Sequence, residues 1–371
     1  MGQRPEKSRE MHRKYFDYTL LFIIIFLVGF GLVMLYSTSS YNAQMKFDDL
    51  AYYLKKQLFA SLLGFCGMFV VAQLDYHIWI KLSNLAYLVA LILCIAVIFV
   101  GAEYNGSSRW LMLGPLSFQP SELAKMAVIL FLAKTIFQVP GQMGKFSTIL
   151  KVIALVIPIF GVVAYNNLST AIIIMGIAVC LCFVASPKIK PFIIMGMLVV
   201  AIGVVFVLQE GYRMERFDIW LHPEAHEKGY QTLQGLYAIG SGGLFGKGLG
   251  ESMQKLGFLP EAQNDMIFSI ICEELGLFGA VCVIFLFALL LWRFLIIANH
   301  ASDLYGALIV VGIMAHIAIQ VILNIAVVTN TIPNTGITLP FISYGGTSVA
   351  ILLTEMGLAL SVSRGTKLEM I

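Results

Sequence analysis

Ten stretches of this 371-residue chain are apolar for long enough to cross a bilayer, and no other feature restricts its fold as tightly. A helix needs about 20 apolar residues to span the hydrocarbon core. Runs of that kind lie near 17–37, 56–74, 81–101, 122–138, 147–165, 168–186, 190–209, 266–292, 303–328 and 347–363. Backbone N–H and C=O groups in hydrocarbon must be satisfied within a helix or a closed barrel. The runs lack the period-two alternation of barrel strands, so helices are the expectation. Composition agrees: 59% of residues are hydrophobic and only 12% charged, about half the charge of a soluble domain. The predicted fold is an all-α polytopic membrane protein of about ten transmembrane helices. The fifth and sixth runs are separated by "YNNLS" alone, where Asn166 and Asn167 mark a break.

The chain reads as a single integral membrane unit. Residues 1–16 form a basic tail, 17–209 carry helices one to seven, 210–265 form a long loop, 266–363 carry helices eight to ten, and 364–371 form a second tail. The basic start followed by a long apolar run, with no small-residue cleavage site, reads as a retained first span. Placing the N-terminus in the cytoplasm puts 14 of the 24 Lys and Arg inside and ten outside, five of those in the long loop. Long loops count little toward orientation, so both termini are expected to be cytoplasmic. The outer loops are then the unusual ones. The longest contains "LYAIGSGGLFGKGLGES", too apolar for a free loop and too Gly-rich for a straight helix. It is expected to form short re-entrant or interfacial helices buried against the bundle.

Several classes of function are disfavoured. The net charge of +3 and the lack of a long basic run give no footprint for nucleic acid. No P-loop, metal-spaced His or Cys set, or motif for an organic cofactor is visible, which argues against an ATP-driven pump. The six cysteines all fall in apolar runs and read as small buried hydrophobes.

Charged groups in a membrane span are costly and usually functional. In "PSELAKMAVIL", Glu122 and Lys125 are three apart and share a helix face. They fit a structural ion pair at a helix end, or a charged cavity at the outer surface. In "LPEAQNDMIFSIICEELG", four carboxylates crowd the entry to the eighth run. Asp265 or Asn264 suits a helix cap, and Glu261 lies further out. Glu273 and Glu274 point in different directions and cannot both face lipid. They require polar loops, Ser or backbone N–H groups as partners, and "EELG" is a place for the helix to break at Gly276. Glu355 and Asn324 read as hydrogen-bonding glue between helices. In "LPFISYGGTS", Pro340 and the Gly345–Gly346 pair preclude an ordinary helix. Their amides, with Ser343, could hold an anion, or simply form a turn. Arg109, Trp110, Arg213, Arg216 and Lys247 fall on the same outer side. Together these suggest an outward-facing pocket for an anionic, lipid-linked ligand.

Three long motifs carry a resemblance: "GSSRWLMLGPLSFQPSELAK" (106–125), "GLFGKGLGESMQKLGFLPEAQNDMIFSIICEELGLFG" (243–279) and "PNTGITLPFISYGGTS" (333–348). The chain resembles the SEDS proteins (shape, elongation, division and sporulation) over nearly its whole length, and the division and sporulation branch more than the rod-elongation branch. The resemblance implies a peptidoglycan glycosyltransferase that polymerises lipid II into β-1,4-linked glycan at the outer face of the cytoplasmic membrane. It implies a class B penicillin-binding protein as partner, alongside other divisome or elongasome membrane proteins. The family's essential aspartate falls on Asp265, its glutamate and lysine on Glu122 and Lys125, and its loop arginine on Arg109.

That chemistry suits those residues. The 4-hydroxyl of an acceptor GlcNAc attacks C1 of the donor, and a positioned carboxylate can take its proton; Asp265 is the candidate base. The leaving diphosphate calls for cations, drawn from Arg109, Lys125, Lys247 or Arg216, or for a divalent cation such as Mg or Mn. Glu122 would hold Lys125 or help bind the metal. A single displacement of an α-linked leaving group inverts C1. The family often reads Glu-Ala-His-Thr-Asp where this chain has Glu261-Ala262-Gln263-Asn264-Asp265, so no histidine charge is available there. Two competing readings are a lipid II flippase, which needs polar groups along a path across the bilayer, and a non-catalytic scaffold for the transpeptidase, which has no need of Asp265. Capping bonds would lower the pKa of Asp265 and burial would raise it.

Overall fold

The structure, a computed structural model, describes residues 16–104, 107–113, 116–197 and 218–365. Its helices are α1 (Tyr18–Phe47), α2 (Tyr52–Gln73), α3 (Ile78–Val100), α4 (Pro120–Phe137), α5 (Phe146–Ala154), α6 (Ile157–Asn166), α7 (Leu168–Ala185), α8 (Tyr230–Gly242), α9 (Ile267–Asn299), α10 (Leu304–Val328) and α11 (Gly346–Ser363). Residues 190–197 are also helical; the rest of the seventh predicted run, with Arg213 and Arg216, lies outside the described residues. Among the described residues, seven helices are long and apolar enough to cross a membrane, or eight with the broken pair α5–α6. The 18-residue α4 adds a segment of similar length that carries Glu122, Lys125 and Lys134.

Local chemistry sets the helix ends. Asp17, Asn167 and Asp303 accept from the N–H three residues on, at 2.8, 3.2 and 2.8 Å, satisfying donors that have no partner within the helix. The break at Asn166–Asn167 is where the sequence placed it. The fifth run, expected as one helix, instead bends by 47° between α5 and α6. Pro158 has no N–H to give to Ala154, so the helix cannot continue unbroken. The first span, expected to end near 37, runs on to Phe47 as a helix whose last turns are polar. The eighth likewise runs on to Asn299.

The bundle is organised around α10, whose buried face touches α4, α7, α9 and α11. The most extensive pairing is α2 with α11. Gly357 sits so close to Met68 that any Cβ would overlap its backbone, the small-residue contact typical of helices in lipid. Buried and exposed cysteines both occur: Cys94, Cys182 and Cys272 are inside, while Cys66 and Cys282 lie on the outer surface of the bundle. That corrects the expectation of six buried thiols; apolar runs in a membrane protein face lipid as readily as core.

The loops sort to opposite ends. One end joins Asp303 to Tyr76 and His77 at 2.7 Å each, Arg293 to Asp17, and Arg364 to the Ala72 carbonyl. Both ends of the described chain therefore lie there. The other end gathers the 102–118, 218–266 and 329–345 loops. Ala102–Tyr104, Ser107–Leu113 and Leu116–Phe118 form a three-stranded antiparallel sheet, with Ala102 opposite Trp110 and Leu111 opposite Phe118. Strands were not expected; these lie outside the apolar runs. The long loop contains α8, and beyond it Leu244, Phe245, Leu249 and Phe258 are exposed.

That loop is joined to α9 through its backbone. Gly276 inside α9 has φ of +66°, so the helix breaks where "EELG" suggested. The break releases two carbonyls and two amides. Glu273 and Glu274 carbonyls accept from Lys247 and Gly248 N–H at 2.9 and 3.0 Å, and Leu277 and Phe278 N–H donate to Gly243 and Leu244 at 2.9 and 3.0 Å. The side chains add to this. Glu273 takes Lys247 at 2.7 Å, Ser241 at 3.3 Å, and also Ser252. Glu274 takes Lys255 at 2.7 Å and Ser37 at 2.7 Å. Both carboxylates are fully buried, and both hold loop to helix.

Candidate functional site

The loop Leu259–Met266 enters α9 at the end where the large loops meet. Asp265 lies one residue before the N-cap, which is Met266 and makes no side-chain cap bond. The carboxylate is only 6% exposed. Burial raises its pKa most, the charge on Glu261 raises it further, and N–H groups of its own backbone, Gln231 and Met266 pull it down; the result is about 7. Burial therefore outweighs the capping bonds.

Three elements fix this residue. Gln231 of α8 donates to its carboxylate at 3.4 Å and accepts from Asn334 at 3.1 Å. Gly336 lies against the carboxylate, where a Cβ would sit 3.9 Å from Oδ2. Asn324 of α10 donates to the Asp265 carbonyl at 2.8 Å and to the Ile337 carbonyl at 2.7 Å. Ser343 donates to the Asn264 carbonyl at 2.6 Å and accepts from Leu339 N–H at 2.8 Å. Tyr344 N–H meets the Gln263 carbonyl at 2.9 Å. The "LPFISYGG" segment thus clamps the backbone that carries Asp265. Gly345 N–H donates to Gln57 at 3.1 Å, so one expected anion-binding amide has a protein partner. Gly346 begins α11 against Ala60.

Glu122 and Lys125 do share a face. They pair at 2.9 Å and are almost completely buried. Lys125 also donates to Gln320 at 3.2 Å. Gln320 lies between Lys125, the Thr338 carbonyl at 3.0 Å and His316 Nε2 at 3.0 Å. His316 Nδ1 meets Glu355 at 2.9 Å. His316 and Gln320 were not foreseen; their spacing with Asn324, four apart each time, was the available signal.

Other predicted residues lie elsewhere. Arg109, in strand β2 (Ser107–Leu113), gives its Nε–H to the Asn166 carbonyl at 3.1 Å. Lys247 is held by Glu273 and is a third exposed. A groove of about 730 Å³ between α1, α2 and the long loop is lined by Leu32, Tyr36, Leu54, Leu249 and Leu256; none of the predicted site residues lines it.

Over residues 18–368 the chain matches the family model for cell cycle proteins of the FtsW, RodA and SpoVE type. It is 41% identical to stage V sporulation protein E of Bacillus subtilis (strain 168), covering 94% of this chain and 97% of that one. It is 36% identical to a probable peptidoglycan glycosyltransferase FtsW of Trichlorobacter lovleyi, covering 95% and 94%. A chain from a solved peptidoglycan synthase complex that coordinates polymerization and crosslinking superposes with a TM-score of 0.78 at 27% identity, covering 95% and 99%. The rod shape determining protein RodA of Thermus thermophilus gives 0.68 at 28% identity, covering 94% and 97%.

Proposed function

We propose what this site does from one premise: the chain belongs to the FtsW, RodA and SpoVE family of cell cycle proteins, and it is a membrane peptidoglycan glycosyltransferase of wall synthesis. The substrate we assign is lipid II, and the reaction joins its disaccharides into glycan. The acceptor GlcNAc 4-hydroxyl forms a bond to donor C1. Its proton passes to the Asp265 carboxylate, and the bond from C1 to the lipid diphosphate breaks. The observation that carries this reading is Asp265 itself, buried and titrating near pH 7, where a general base works best at neutral pH.

The departing diphosphate needs positive charge. Lys125 has three N–H donors; two meet Glu122 and Gln320, and we assign the third to the diphosphate. The Arg109 guanidinium suits two phosphate oxygens at once. Lys247, tied to Glu273, acts through the loop it fixes, and Ser343 and Gly345 act through the backbone they clamp. Among the described residues no three His, Cys, Asp or Glu side chains cluster as a metal site; a Mg or Mn ion held by one or two carboxylates and the diphosphate itself would need no such cluster. No step here uses a metal.

We place the Asp265 end outside and both chain ends in the cytoplasm. The distribution of Lys and Arg supports this, as does the gathering of both described ends at one face. The partner we assign is a class B penicillin-binding protein; the likeness to a chain from a complex that couples polymerization to crosslinking supports it. The test is glycan synthesis from labelled lipid II by the purified chain with that partner. Ladders from wild type and none from Asp265→Asn are expected. Full-length ladders from Asp265→Asn would remove Asp265 as the base, and label crossing vesicles without any ladder would favour a flippase.

A further inference from the structure

His316, Gln320 and Asn324 form a polar stripe on one face of α10, and it runs from the centre of the bundle to the backbone of Asp265. We propose that His316 and Gln320 are positioning residues for the transfer: through Asn324 and residues 337–338 the stripe fixes the Asp265 backbone, and through Gln320 it aims the Lys125 ammonium. The inference rests on the mechanism proposed above.

The hydrogen bonds define a direction. Lys125 can only donate, so the Gln320 atom it meets at 3.2 Å is the oxygen. The Gln320 amide nitrogen then faces the Thr338 carbonyl at 3.0 Å, as a donor must. His316 Nε2 lies 3.0 Å from the same oxygen, so it carries a hydrogen. That leaves Nδ1 to share one proton with Glu355 at 2.9 Å. The pair is neutral whichever atom holds that proton, and Glu122 with Lys125 is neutral as well. The buried network therefore carries no net charge. One Glu355 oxygen and one Glu122 oxygen have no hydrogen-bond partner among the described residues.

A purely structural account gives a different expectation. A buried ion pair replaced by packed apolar residues is often neutral or stabilising. His316 lies about 12 Å along α10 from Asn324, and Glu355, on α11, touches neither Asp265 nor Lys125 and reaches the site only through His316. If they served stability alone, an apolar pair would do as well. If they orient Gln320, an apolar pair leaves its amide free to turn, and both Lys125 and the 337–338 backbone lose their register.

The test uses the full chain with its transpeptidase partner, lipid II polymerisation kinetics and thermal unfolding in detergent. His316→Leu/Glu355→Leu is expected to melt at or above the wild-type temperature. Its kcat is expected to fall on the order of tenfold to a hundredfold, with KM within roughly threefold. Glu355→Gln, which can still donate to Nδ1 without adding charge, is expected to keep most of the rate. Gln320→Met provides the same reading should the double variant not accumulate, with a similar fall in kcat. A wild-type kcat in either variant overturns the proposal, as does a loss in Glu355→Gln equal to that in the double variant. Asp265→Asn, run alongside, reports separately on the base.

Discussion

Asp265 is a carboxylate in a place that disfavours its charge, and the cost and the chemistry come from the same burial. In the reaction proposed above, a pKa near 7 leaves the proposed base protonated at low pH. Turnover should rise with pH through about 7 and then level, and a pH–rate profile of the wild type checks this. Asp265→Asn should lower kcat by about 10²- to 10⁴-fold. The same shift fixes the sign of a stability effect. The folded chain keeps its proton at Asp265 up to about 7, while the unfolded chain loses it near the ordinary aspartate value of 3.8. The wild type therefore loses stability as pH rises from about 4 to about 7, by on the order of 4 kcal/mol. Asp265→Asn should match the wild type in melting near pH 4 and exceed it at pH 8. Equal melting at both values would show that the carboxylate is not buried as described.

At the scale of elements, the break in α9 is where loop and helix become one unit. A Cβ on Gly276 would overlap the Gly246 amide and the Leu244 carbonyl, in a backbone region that L residues avoid. Gly276→Ala should cost at least about 2 kcal/mol, read from thermal unfolding, and should expose the 243–259 loop to protease. The Lys255–Glu274 pair is buried on both sides. Removing Lys255 alone strands the carboxylate, and Lys255→Met should cost about 3–5 kcal/mol. Lys255→Met/Glu274→Met should recover much of that loss, since no buried charge remains unpaired. A double variant as unstable as the single one would place the cost in packing.

At the scale of the molecule, the arrangement makes a prediction about sides. The contacts of Asp303, Arg293 and Arg364 close one end of the bundle, and Asp265 with the long loop occupies the other. A fluorescent protein fused after Arg364 should fold and emit, as it does only in the cytoplasm. Alkaline phosphatase inserted at Leu249 should be active, as it is only outside. The reverse pattern would invert the protein and move Asp265 to the cytoplasmic face. The deep His316–Glu355 pair also bears on the flippase reading, since it places polar groups near the midpoints of α10 and α11. They are buried and bonded to one another, which suits a fixed strut better than a path for a moving headgroup.

Apolar run length alone determined that the chain is a helical membrane protein, because hydrocarbon leaves the backbone few other ways to satisfy its hydrogen bonds. Local signals were equally legible: the break at Asn166–Asn167, the break at Gly276, the shared face of Glu122 and Lys125, and the need of Glu273 and Glu274 for partners. Asp265 stood out through its motif, not its spacing, which suited a cap as well as a base. Only the tertiary structure gave the burial of its carboxylate, since what surrounds the group is set by α8, α10 and the 334–344 segment. It also decided that Lys255 and Ser37 answer Glu274, 19 and 237 residues away in sequence. His316 and Gln320 carried a helical spacing that could be read in advance. Their partners on α4 and α11 could not, because which helix faces meet in a bundle is set by packing between distant segments.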